Sequence, residues 1–409
     1  MKTILKDYMA WIALPDGQSI QAAFILLETD PRGRHLASGA RYRTEWLLHP
    51  RRYPINPAHL PMSPAPVEWE TENIAALIDD VLPGRWERAV QQRVWGDKAD
   101  IDDLHAVLGA DRQTWRTGSL EILALGVAPP PLKSPVSLSD LDMLGDEVDR
   151  AEQHLAPELE ALSRMQAGSS VGGARPKVLL DDDGAWLAKF RRRDDSFNQV
   201  RVEHACLLLA TRAGLDTAQS RVISTLQGDV LLVRRFDVTD AGGRYGMVSA
   251  NALLKDTRHQ ADPIQPGYED LVTCIRRFST TPARDLRQIY GQMLLNQAIN
   301  NRDDHLKNFS FLLEPGRIAL SPAYDLVPSE ALGAYPQLNF NHQPRLPAPA
   351  TPEAIRAAAA FSLAPAEARE INDRIASALS EIGNIMDQAG LTAADQRFLL
   401  QRLPRGFKS

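Results

Sequence analysis

Apolar positions recur along the chain in two rhythms, one short and one near the helical period, and the change between them divides the sequence. Near the N-terminus the rhythm is short. Trp11 to Leu14 and Ala22 to Leu27 are brief apolar runs between turns rich in Arg and Pro, which predicts strands. Ala75 to Leu82 predicts a helix that Pro83 and Gly84 break. The stretch up to residue 110 or so reads as a small α+β module. Consecutive prolines within Ala128 to Pro135 favour extended backbone and mark the clearest linker. Leu138, Leu141, Leu144 and Val148 then follow at helical spacing, with Ser137 or Ser139 as the N-cap.

Residues 166–237 change character. A Gly- and Ser-rich loop, Gln166 to Ala174, leads into the apolar run of Lys177 to Leu180. Asp183–Gly184 is a hairpin signal, and Ala185 to Phe190 predicts the returning strand. Glu203 to Ala213 predicts a helix capped by Gly214, and Gly228–Asp229 a turn before the strand Val230 to Val233. Beyond residue 266 the helical period dominates, most clearly in Leu286, Ile289, Tyr290, Met293, Leu294 and Ala298. Phe309 to Leu320 predicts a hairpin turning at Pro315–Gly316. Thr351–Pro352–Glu353 is a helix start, and Ile371, Ile375, Leu379, Ile382 and Met386 continue one helical stripe. No repeat of fixed period is present.

Composition narrows the function classes. The 409 residues leave room for more than one domain with a buried core. A formal charge of -6 argues against a strongly basic nucleic-acid binder. The two cysteines, Cys206 and Cys274, sit in apolar runs and predict buried reduced thiols, because two cannot build a disulfide framework or a four-thiolate zinc site. The N-terminus lacks a long apolar segment, and no stretch reaches the ~20 apolar residues of a membrane span, so the expectation is a cytoplasmic protein.

The run Asn300 to Asn308 is densely polar and directly follows the strongest amphipathic helix. Asp303 precedes Asn308 by the spacing of a phosphoryl-transfer catalytic loop, and Tyr324–Asp325 lies at the exit of the following hairpin. A metal hydrolase using Asp303, Asp304, His305 and Asp325 is the rival chemistry, and a solvated polar loop the bland alternative. Upstream residues favour phosphoryl transfer. Gly172 and Gly173 allow close approach of backbone to phosphate, Lys189 is a cation inside an apolar strand, and Glu203 lies in the next helix. A hydrolase has no use for these three. Taken singly they could equally be a surface turn, a strand-end lysine reaching water and a first-turn acid.

In that order the motifs resemble the HipA family of bacterial serine/threonine kinases, the toxin component of type II toxin–antitoxin pairs. The matching segments are Ser170 to Lys177, Ala188–Lys189–Phe190, Glu203 to Leu209, Val233 to Asp237, Asp303 to Phe309 and Ser321 to Asp325. The resemblance implies an α+β, two-lobed kinase-like fold with a mixed N-terminal lobe, a mostly helical C-terminal lobe and an appended N-terminal subdomain. It divides the chain into that subdomain (1–127), a linker and connecting helix (128–165), the N-lobe (166–245) and the C-lobe (246–409). It implies ATP as substrate, magnesium as cofactor and Asp303 as the general base, with Lys189 binding phosphates. Asn308 and Asp325 would hold the metal. Gly172, Gly173, Ala174, Arg175, Pro176 and Lys177 would cover the phosphates; Arg234, Arg235 and Phe236 would form the adenine hinge; His305, Lys307 and Tyr324 would line the site.

Ser170 matches the family's inactivating autophosphorylation site, with Ser169 beside it as a second candidate. The partners implied are a protein substrate such as an aminoacyl-tRNA synthetase or other translation factor, and a helix-turn-helix antitoxin through which alone DNA would be touched; no membrane partner is implied. The other reading is a pseudokinase-like regulator that binds the antitoxin and acts as a corepressor. The chain departs from the family at Arg175–Pro176, at Arg234, which replaces a hinge acid, and at Asp304, where glycine is common.

Overall fold

The structure is a computed structural model that describes residues 2–70, 76–95, 103–108, 117–129, 136–158, 160–161, 175–255, 265–332, 335–343, 345–404 and 406. Five antiparallel strands open the chain: β1 (Ile4–Ala13), β2 (Ser19–Thr29), β3 (His35–Tyr42), β4 (Val67–Glu70) and β5 (Leu120–Ala124), in the order β4-β3-β2-β1-β5. Side-chain alternation decides the faces. Ala23, Ile25 and Leu27 of β2 are buried, while Phe24 and Leu26 between them are exposed.

A second sheet follows, built from β6 (Lys177–Asp181), β7 (Ala185–Phe190), β8 (Ser220–Thr225) and β9 (Gly228–Arg234), in the order β6-β7-β9-β8. Helix α1 (Leu141–Glu152) covers one face and α2 (Gln199–Arg212) the other. Period two sorts the residues. Val230 and Leu232 of β9 pack with Leu141, Leu144 and Val148 of α1, whereas Leu231 and Val233 pack with Val200 of α2. The same parity sends Trp186, Ala188 and Phe190 of β7 toward α1, and so turns Lys189 to the opposite face. The β6–β7 turn holds Asp183 and Gly184 at positive φ, 43° and 123°, as the Asp-Gly pair requires.

The rest is mostly helical: α3 (Ala250–Leu254), α4 (Tyr268–Phe278), α5 (Pro282–Ala298), α6 (Pro365–Ser380), α7 (Ile382–Gln388) and α8 (Ala393–Arg402), with a three-stranded sheet of β10 (Gly246–Ser249), β11 (Ser310–Glu314) and β12 (Arg317–Leu320). Helix α5 is the axis of the core, with Ile289, Tyr290, Met293, Leu294 and Leu295 fully buried. The stripe expected to run unbroken to Met386 is split at Glu381, whose N–H turns back to the Ala378 carbonyl (3.1 Å) and ends α6 with a tightened turn. α2 begins at Gln199, before the expected Glu203, because Asn198 caps it by accepting from the Arg201 N–H at 3.2 Å. Cys206 and Cys274 are buried free thiols. Among the described residues no helix is long and apolar enough to cross a membrane.

The N-terminal sheet is tied to the second sheet and the helical part by polar bonds. Asp237 accepts the Gly118 N–H at 2.6 Å, Arg244 donates its N–H to the Leu14 carbonyl at 3.1 Å, and Asp80 accepts both the N–H (2.8 Å) and hydroxyl (2.6 Å) of Ser249.

Candidate active site

Lys189 lies where β7 faces α2, and α2 brings Glu203 to it. The Lys189 ammonium donates to Glu203 Oε1 at 2.6 Å and to Asp325 Oδ1 at 2.7 Å. Burial disfavours the charged ammonium, but the Asp325 and Glu203 carboxylates overcome it and raise the lysine above its ordinary value. Burial likewise opposes the Asp325 charge, yet Lys189, Lys177 and His305 hold that carboxyl well below the usual range. Asp325 sits at φ 57°, a left-handed backbone that Asp tolerates better than most residues. Its neighbour Tyr324 fixes the turn, donating its hydroxyl to the Lys307 carbonyl at 2.8 Å.

The polar run after α5 divides into a scaffold and one exposed acid. Asn301 is buried; it donates to Asn296 Oδ1 (3.1 Å) and accepts the Asp303 N–H (3.2 Å). Asn300 takes φ 57° and accepts from the Arg302 guanidinium at 2.9 Å. Asp304 is buried, accepts the Tyr268 hydroxyl at 2.6 Å, and is pushed up to about 7, chiefly by desolvation. Asp303 alone among the loop acids is exposed. Asn308 donates its amide to the Asp303 carbonyl at 3.1 Å, which ties the two ends of the Asp303–Asn308 motif together.

A cavity of about 290 Å³ joins these parts, lined by Lys177, Lys189, His305, Lys307, Asn308, Tyr324 and Asp325. Leu187, Met247 and Val248 supply an apolar wall. His305 Nδ1 is buried with no hydrogen-bond partner among the described residues, so a donor or acceptor stands ready at the cavity. The other expected site residues that the structure describes are not among those lining it. Arg175 is committed to Asp195 by two bonds (2.6 and 3.0 Å), and the Pro176 carbonyl accepts the Phe190 N–H at 3.0 Å. Arg234 is exposed and reaches Gln219. Arg235 forms a buried bidentate pair with Asp237 (2.6 and 3.0 Å), while the Phe236 ring lies 5.5 Å from that of Tyr324. Gly172, Gly173, Ala174, Ser169 and Ser170 fall outside the described residues.

Sequence reasoning missed three residues. Asp79 and Asp80, from the N-terminal module, line the same cavity, and Asp79 lies 3.4 Å from the Lys307 ammonium. Gln337 donates its side-chain amide to Asp303 Oδ1 at 2.6 Å. No one-dimensional signal points to any of them, since each reaches the site across a long loop.

A strand-rich lobe carrying a lysine–glutamate pair, set over a helical lobe carrying the polar loop, is a two-lobed kinase-like architecture. The family described as the HipA-like C-terminal domain matches residues 169–382, and the chain belongs to it. The chain is 25% identical over 333 residues to the Sinorhizobium fredii protein named “Putative kinase Y4mE”, covering 75% of each. It is 26% identical over 157 residues to “Putative kinase Y4dM” of the same organism, covering 35% of this chain and 37% of that one. In structure it is similar to the HipA toxin of Shewanella oneidensis MR-1, solved with HipB and its operator DNA. The TM-score is 0.63 at 16% identity, over 96% of this chain and 94% of that one, a likeness of fold.

Proposed function

We propose that the chain is a serine/threonine protein kinase that transfers the γ-phosphate of ATP with magnesium and acts as a HipA-like toxin. The observation that carries this is the ion triad of Lys189, Glu203 and Asp325, which shares one cavity with Asn308 beside the exposed Asp303. The residues suit a hard divalent cation. The Asn308 amide nitrogen is spent on the Asp303 carbonyl, which leaves its oxygen to ligate, and Asp325 stays ionised. Bound there, magnesium would neutralise charge on the β- and γ-phosphate oxygens.

The protein's own groups do the rest. Glu203 keeps Lys189 extended across the cleft, so that its ammonium can meet phosphate oxygens. Lys177, Lys307 and His305 add positive charge or N–H donors along the same wall. Asp303 accepts the proton of the acceptor hydroxyl as its oxygen bonds to the γ-phosphorus and the bond to the ADP oxygen breaks. Phe236 and Tyr324 border the apolar end, suited to a purine face. Ser170 is the proposed self-modification site, where phosphate would add about −1.5 to −2 charge beside the nucleotide. The Shewanella protein was solved with an antitoxin on operator DNA, which supports an antitoxin partner of that kind here.

The test is intact-protein mass spectrometry after incubation with ATP and magnesium, with the phosphopeptide mapped. Wild type should gain phosphate. Asp303→Ala should gain none and still show a thermal shift with ATP and magnesium. Nucleotide binding with no transfer by wild type would favour a regulator that only binds.

A further inference from the structure

We infer that Gln337 is the positioning residue of Asp303, fixing which of its carboxylate oxygens faces the acceptor hydroxyl; this rests on the kinase reading above. The Gln337 side-chain amide donates to Asp303 Oδ1 at 2.6 Å, from a segment 34 positions further along the chain. Asp303 Oδ2 carries no hydrogen bond among the described residues, so it is the oxygen left to take the acceptor proton.

Gln337 is itself held in place. Its backbone N–H donates to the Arg302 carbonyl at 3.1 Å, and the Gln265 side chain donates to the carbonyls of Pro336 (2.9 Å) and Gln337 (3.0 Å). Two glutamines thus pin one short segment against the catalytic loop. An exposed carboxylate held only by its own backbone rotates freely about its side-chain bonds, and misplacement by about 1 Å can cost ~100-fold in rate. The amide removes that freedom for Asp303. The same segment, with Pro266, Leu306 and Leu338, borders a groove of about 410 Å³ that reaches His305, which also lines the larger cavity. Gln337 thus lines this groove with one part and holds Asp303 with its amide.

The test uses the full chain, with transfer from ATP and magnesium into the chain itself as the probe reaction. Because Gln337 is exposed, Gln337→Ala and Gln337→Glu should melt with wild type. Gln337→Ala should slow transfer about tenfold or more while half-saturating ATP stays within about twofold. Gln337→Glu keeps the size but sets a second carboxylate against Asp303. It should be slower than the alanine variant near about pH 8, and should overtake it near about pH 5.5, where its own carboxyl regains a proton to donate. Transfer at the wild-type rate by either variant overturns the assignment. So does a parallel loss of ATP affinity, or a Glu-to-Ala rate ratio that ignores pH; each marks a residue that does not act through Asp303. A wild-type chain that transfers nothing refutes the kinase reading itself, and this assignment with it.

Discussion

Replacing Lys189 with methionine removes a buried cation that contacts two carboxylates at once, at 2.6 and 2.7 Å. The two acids are not alike. The Asp325 side chain is 41% exposed to the cavity, so water screens it, whereas Glu203 is 4% exposed and has no such relief. Breaking a buried pair by removing one partner costs roughly 3–5 kcal/mol. Lys177 still acts on Glu203, which places the loss toward the lower end. For a domain of about 200 residues that lower end is a fall of roughly 6 to 12 °C in melting temperature.

The sign with pH is fixed by the same groups. Lys189 has a raised folded pKa, so its stabilisation is complete below the unfolded value of about 10.4 and is lost only as pH rises through the folded value. Burial raises Glu203, and without Lys189 it rises further, so the variant loses stability as pH climbs above the unfolded glutamate value of about 4.3. The part of the gap between wild type and Lys189→Met that comes from Asp325 is already present near about pH 4, and the Glu203 part adds to it, so the gap should widen toward about pH 8. Urea unfolding followed by circular dichroism at several pH values measures it. A gap that is absent, or constant with pH, would mean that the triad does not form.

Asp304, raised to about 7, makes the folded state bind a proton that the unfolded chain has lost, so it destabilises as pH rises from about 4 to 7. Asp304→Asn should flatten that slope, gaining on the order of 3 kcal/mol between about pH 5 and 8 relative to wild type; parallel stability curves would refute it. Asp325→Asn should abolish the thermal shift with ATP and magnesium that Asp303→Ala retains, and an undiminished shift would exclude Asp325 from the metal. Asp237→Ala removes the bidentate carboxylate from the buried Arg235 and cuts the bond to Gly118, so a loss of roughly 3–5 kcal/mol in urea unfolding is expected; a change within error would show that the junction carries no load. Gly243→Ala should destabilise the same junction, because its new methyl would overlap the Leu14 carbonyl oxygen at 2.2 Å; an unchanged melting temperature would contradict that packing.

What the sequence could carry was local periodicity and spacing. The alternation in Val230 to Val233, the Asp183–Gly184 turn and the long stripe of α5 each encode a neighbour within a few residues, and each appears as expected. The polar loop was legible as a site because nine consecutive positions, from Asn300 to Asn308, break the helical pattern at the end of a buried helix. Its internal division was not. Asn301 and Asp304 are as polar as Asp303 in one dimension, and only the third dimension shows them buried beneath the loop, bonded to Asn296 and Tyr268. Likewise Glu381 gives no signal of a helix break, since the apolar stripe continues through it on both sides.

The acids of the N-terminal module carry this furthest. In the sequence, Asp79 and Asp80 lie within the short helix expected from Ala75 to Leu82, and nothing links them to a loop more than two hundred residues away. Folded, Asp80 is half-buried against Ser249, where it holds the start of α3, and Asp79 sits between Lys255 (3.3 Å) and Lys307 (3.4 Å) on the cavity wall. Asp80 accepts two hydrogen bonds from Ser249, a residue of the helical part. Removing the module would leave the Ser249 N–H and hydroxyl, at the start of α3, without these bonds. The N-terminal module is part of the cavity's architecture, and its removal should disturb Lys307 as directly as a substitution in the polar loop.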